Sequence, residues 1–229
     1  MIECVDRQTV FSKYRFLASL VRESQDARSY VDENATDEER HKLEQWRTRA
    51  CDRLPIQQHV WCENLLLEQR CPRIKDFPRA LSDSLSKLFG ALNLPTVCFV
   101  PGLRTPWLSN PDTYPPVRAA QSQVRSLLPT EPFDGGLVVD LASLSEIVPF
   151  VFWTARCCGS FPEIYVGAPD YPSVFWICKY GVLHAEVYDD RTASPLKRHA
   201  SEVGLMEVAC CTDRFSESSA IEGRTIQLD

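Results

Sequence analysis

The apolar positions change rhythm near residue 95, from helical spacing to short runs of strand character. Val10, Phe11, Tyr14, Leu17, Ala18 and Val21 recur at steps of one, three and four residues. That spacing lines one face of a helix. Thr36 and Glu39 have the spacing of a capping box, and the helix they open carries Leu43, Trp46 and Ala50 among many charges. Residues 23–53 mix both signs of charge, as a solvated helix pair and its connection do. Another helix is expected over residues 56–70, stopped by Pro72. Leu81, Leu85, Leu88, Phe89 and Leu92 give the cleanest period and mark a core helix. Burying each of those side chains contributes about 1.5–3 kcal/mol before entropy is subtracted.

Beyond Pro95, Thr96-Val97-Cys98-Phe99-Val100 is a β-prone run closed by Pro101-Gly102. A proline-rich connection follows, through Pro106-Trp107, Pro111-Asp112 and Tyr114-Pro115-Pro116. Proline restricts φ and has no N–H to donate, so this stretch reads as ordered loop or sheet edge. A short helix is expected over 117–128, then strands at 137–141, 148–154, 164–166, 173–178 and 182–188. Lys179-Tyr180-Gly181 joins the last two as a hairpin. A final helix is expected over 195–208, and from Thr212 the chain is polar and expected to fray.

The predicted architecture is a single α+β domain over residues 1–211. Its helical portion, 1–94, packs against a mostly antiparallel sheet built from the strand-rich portion, 95–211; residues 212–229 form a polar tail. Ile221-Glu222-Gly223-Arg224 looks like an engineered protease site and carries no functional weight.

Composition narrows the picture modestly. The 229 residues are 44% hydrophobic and 24% charged, which suits a globular core. A net charge of -6 argues against a broad nucleic-acid surface. The charged N-terminus is unlike a secretory signal, and no apolar run approaches the roughly 20 residues of a spanning helix. The expectation is a cytoplasmic or nuclear protein, with no membrane contact and with its ten cysteines reduced.

Those cysteines and four histidines pose the chemical question. A thiol hydrolase or transferase needs a cysteine, a histidine base and a group to orient it. Cys98 and Cys158 are candidate nucleophiles for His184, with Asp170 or Asp189 as orienting carboxylates. Cys157, Cys158, Cys178, His184, Cys210 and Cys211 offer soft donors, but no subset has zinc-finger spacing, so no metal or other cofactor is expected. Nucleotide-binding and metalloprotease motifs are absent. Trp107, Tyr114, Tyr171 and Trp176 lie in or beside proline-stiffened loops and strand ends, where rigid aromatics make a candidate binding surface for another protein.

One stretch carries a family likeness. Val174-Phe175-Trp176-Ile177-Cys178-Lys179-Tyr180-Gly181-Val182-Leu183, then Val187-Tyr188-Asp189-Asp190 and the segment 196–203, resembles the tail of the herpesviral US22 and SMI1/KNR4-type superfamily. The likeness spans about one fifth of the chain. It implies an α+β protein acting through binding, in roles such as toxin neutralisation, host-defence interference or virion-associated regulation. Gly181 and the Tyr188-Asp189 pair would be structural markers, and no catalytic residue is implied. The leading expectation is therefore a non-enzymatic regulatory or interaction protein, with the Cys/His-dependent hydrolase or transferase as its alternative.

Overall fold

The computed structural model describes residues 1–53, 57–129 and 132–215. Strand Thr96–Pro101 shows how the fold is organised. Val97 and Phe99 enter one core while Cys98 and Val100 enter another, because successive side chains of a strand point to opposite faces. A sheet with both faces apolar must be covered on both.

Eight strands form that sheet: β1 (Ile2–Val5), β2 (Glu63–Gln69), β3 (Thr96–Pro101), β4 (Gly136–Asp140), β5 (Ile164–Gly167), β6 (Ser173–Ile177), β7 (Leu183–Val187) and β8 (Leu205–Glu207). Their order is β1-β4-β3-β5-β6-β7-β2-β8, with neighbours paired antiparallel throughout. The α+β class and the antiparallel sheet agree with the sequence expectation. The division into a helical first part and a stranded second part does not, since β1 and β2 lie before residue 95 and helices recur to the end.

The larger core is covered by α4 (Phe77–Ala91), α5 (Pro115–Arg125), α6 (Leu144–Cys157) and α7 (Asp190–Glu202). The periodic leucines behave as expected: Leu81, Leu85, Leu88 and Phe89 of α4 are buried there. The second face is covered by α1 (Arg7–Lys13) and α2 (Arg15–Arg28), whose Val10, Phe11, Leu17 and Val21 pack on Cys98, Val100, Tyr165 and Val174. Helix α3 (Asp37–Ala50) opens on the capping box of Thr36 and Glu39 and has no buried residue. Next to it, Arg7 of α1 grips Asp52 through Nε (2.9 Å) and Nη2 (2.7 Å), and Gln25 of α2 donates to the same carboxylate at 2.8 Å.

Two segments differ in type from their sequence pattern. The helix expected over 56–70 is replaced, where described, by strand β2, whose Leu65 and Leu67 are buried. Leucine, glutamate and glutamine favour helix, but pairing with β7 and β8 on either side outweighs that weak preference. Conversely, the strand expected over 148–154 lies inside α6. Buried residues run continuously from Phe150 to Thr154, so the helix shows no polar stripe and no period. The last helix starts five residues earlier than expected, at Asp190, and ends at Glu202, leaving room for β8. The chain expected to fray from Thr212 stays packed through Phe215, with Asp213 buried. The 221–224 motif lies outside the described residues.

A carboxylate is buried on the second face, near Glu23 of α2. Glu186 of β7 is 8% exposed and accepts a hydrogen bond from the Tyr188 hydroxyl at 3.0 Å. Burial, reinforced by Glu23, raises its pKa from 4.5 to about 7, while the Tyr188 bond acts in the opposite direction. The folded state therefore holds this proton more tightly than the unfolded chain. Its stabilising effect is complete below about pH 4.5 and is lost as pH rises through about 7. The free energy of urea unfolding should fall across that interval by an amount on the order of 2–3 kcal/mol, and Glu186→Gln should flatten the fall.

Candidate functional site

The β6–β7 hairpin brings the first two chemical groups together. Cys178 N donates to Val182 O at 3.0 Å and Gly181 N donates to Cys178 O at 2.9 Å, closing a tight turn. Gly181 has φ of 82°, and a Cβ there would lie 2.8 Å from the Phe77 ring, so this turn requires glycine on both counts. Past the turn, His184 stands opposite Trp176 in register. Their rings stack at 4.6 Å between centroids and 22° between planes, which fixes the imidazole's orientation.

The third group arrives from the far end of the chain. Val208 N donates to Leu66 O at 2.9 Å, extending the pairing of β8 with β2, and the chain then passes through Cys210 and Cys211. Asp213 anchors it. The Asp213 carboxylate is fully buried and meets Arg156 of α6, with Nη2 to Oδ2 at 3.1 Å and Nη1 to Oδ1 at 3.3 Å. Arg156 Nη1 also donates to the carbonyl of Lys179, next to Cys178, at 3.2 Å. Phe215 lies under the guanidinium, 5.5 Å from centroid to Cζ, and meets Phe77 edge-on. One buried arginine thus ties the turn that carries Cys178 to the segment that carries Cys211.

Cys211 Sγ lies 3.3 Å from His184 Nε2. The donor atoms of Cys178, His184 and Cys211 all fall within 4.8 Å of one another, and each residue is partly buried. They border a cleft of about 240 Å³ walled by Phe161, Trp176 and Tyr180. Burial, and then the neighbouring Cys178 thiol, pushes the Cys211 thiol up to about 12. Burial lowers the pKa of His184. The pair therefore rests as neutral thiol and neutral imidazole, with Sγ and Nε2 within reach of each other.

His184 was legible from sequence as a base, whereas Cys178 and Cys211 stood only among six scattered soft donors and not as its thiol partners. Cys98 is wholly buried in the second core, and burial raises its thiol pKa. Cys158 is also buried and lies 3.5 Å from an Asp112 oxygen. Asp170 sits at the surface and pairs with Arg15 at 3.6 Å. Asp189 caps α7, accepting from Arg191 N at 2.9 Å. Cys211, rather than Cys98 or Cys158, lies against His184, whose ring stacks on Trp176 while Asp170 and Asp189 are engaged elsewhere. Of the six soft donors considered, Cys178, His184 and Cys211 converge.

The aromatic residues disperse in a similar way. Trp107 is 1% exposed and donates Nε1–H to Gly135 O at 2.9 Å, because the proline-rich connection lies down on the larger core. Tyr114 packs edge-on against Trp153, and Tyr171 is half-buried against the same core. Trp176 belongs to the histidine's setting. No exposed patch centred on Trp107 forms.

The cluster goes against the leading expectation that the chain is not an enzyme. A thiol in contact with an imidazole, beside a second thiol and open to a cleft, has the makings of catalytic chemistry. No helix among the described residues is long and apolar enough to cross a membrane. Comparison with protein-family models, curated proteins and solved structures gives no match, which leaves the resemblance at the C-terminal hairpin neither strengthened nor removed.

Removing one member of the Arg156–Asp213 pair strands a buried charge. Asp213→Asn should cost about 3–5 kcal/mol in urea unfolding and speed tryptic cutting after Arg214. The double change Arg156→Met with Asp213→Leu should recover part of that stability. An unchanged midpoint in Asp213→Asn would contradict the anchoring role.

Proposed function

We propose that this chain is a Cys/His-dependent hydrolase or transferase in which Cys211 is the nucleophile and His184 the base. The 3.3 Å contact between Cys211 Sγ and His184 Nε2 at the mouth of a cleft carries the reading. A nucleophile and base within hydrogen-bond reach are the minimum this chemistry requires.

The raised thiol and lowered imidazole set the order of events. Because the resting pair is neutral, the thiol gives up its proton as it attacks rather than beforehand. Cys211 Sγ bonds to an electrophilic acyl carbon while its proton passes to His184 Nε2. The leaving group departs with that proton. Water, or a second nucleophile, then loses a proton to His184 and attacks the acyl carbon, breaking the S–C bond and returning the thiol. Trp176 holds the imidazole plane throughout, and Arg156 acts as a positioning residue through Asp213 and the Lys179 carbonyl.

A panel of aryl esters and thioesters tests the reading, with intact-mass detection of acylated protein and peptide mapping of the adduct. Acylation should fall on Cys211, and Cys211→Ala should abolish turnover. His184→Ala should slow turnover by about 10²–10⁴-fold, the usual contribution of a general base. Cys210→Ala should behave as the parent. Equal turnover by Cys211→Ala, or no adduct on Cys211 from any member of the panel, would overturn it.

A further inference from the structure

The proposed thiol chemistry uses Cys211 and His184 and leaves Cys178 without a part, although the fold holds it in place with care. Gly181 and the turn's backbone bonds fix its position, and Arg156 binds the adjacent carbonyl. Two sulfurs and an imidazole nitrogen facing a common point form a soft donor set suited to a borderline-soft divalent cation. We propose that Cys178, His184 and Cys211 bind Zn²⁺, and that the ion reversibly silences the thiol by occupying the sulfur that would attack. The inhibitory half rests on the reading of Cys211 as nucleophile; the binding half stands on the geometry alone.

The distances suit such a centre. With Zn–S near 2.3 Å and Zn–N near 2.0–2.1 Å, a tetrahedral ion separates its donors by about 3.5–3.8 Å. The Cys211–His184 edge is 3.3 Å and the widest of the three edges is no more than 4.8 Å, so closing on the ion takes a movement of about 1 Å. Side-chain rotation at a partly buried site supplies that. Binding exchanges the protons of the two thiols for the ion: both sulfurs ligate as thiolates, their protons leave to solvent, and the neutral imidazole binds through its free nitrogen. Three protein donors leave a fourth position, which the cleft opens to water.

This set also explains why linear spacing concealed the site. Cys178 and His184 are six residues apart across a hairpin, while Cys211 arrives only after α7 and β8 have been laid down.

The test uses the full reduced chain, titrated with Zn²⁺ against a chromogenic chelator and separately with Co²⁺, whose thiolate charge-transfer band reports sulfur ligation. One ion should bind per chain with a thiolate band. Cys178→Ser should weaken Zn²⁺ by more than the about 10–100-fold that loss of supporting groups around a metal costs. Cys210→Ser should leave the affinity unchanged. Zn²⁺ should also protect Cys211 from iodoacetamide, and a chelator should restore its reaction. Absence of binding by the parent chain, or binding without a thiolate band, would overturn the metal site without depending on any variant folding. Binding with full protection, in a chain whose esterase or thioesterase activity ignores Cys211, would keep the site and overturn the silencing.

Discussion

The candidate site depends on a buried ion pair. Arg156 projects from α6 and neutralises Asp213, a fully buried carboxylate that also accepts from Phe215 N at 3.0 Å. The same guanidinium donates to the Lys179 carbonyl and lies over Phe215. Burying two charges is costly, and attraction at close range repays it only when the geometry is good and other hydrogen-bonding groups are met. What this pair provides is position. It fastens a polar segment beyond the last strand against a helix, and that segment carries Cys211 to His184.

Around this anchor the sheet divides the work between its faces. The larger core, with α4 and α6 at its centre, fills the side from which Arg156 reaches the hairpin turn. The opposite side carries Trp176 and His184, adjacent across β6 and β7, with Trp176 at the margin of the core that α1 and α2 form. A histidine there has one aromatic wall and one open side. Complete burial would close the cleft and full exposure would free the ring, so the partial cover is what allows chemistry.

Elements with one polar face were readable in advance. The stripes of α2 and α4, the capping box at Thr36 and the β6–β7 hairpin all announce themselves through spacing. Segments whose identity depends on their neighbours were not. Helix α6 is buried nearly all round, so Val148 to Thr154 looks like a strand; β2 is built from helix-favouring residues but is captured between two strands. The site followed the same rule. His184 stood out as a histidine in a strand, while Cys211 was one of several scattered soft donors, just ahead of a stretch expected to fray, because nothing local shows that Asp213 has an arginine waiting 57 residues upstream.

The convergence of Cys178, His184 and Cys211 is the claim from which the chemistry follows. Dibromobimane, which fluoresces strongly once both of its arms have reacted with thiols, tests it directly when followed by peptide mapping. In the folded chain the bridge should join Cys178 to Cys211, and it should vanish in urea. A folded chain whose bridges join other cysteines, or which bridges Cys178 to Cys211 equally well when unfolded, would contradict the site.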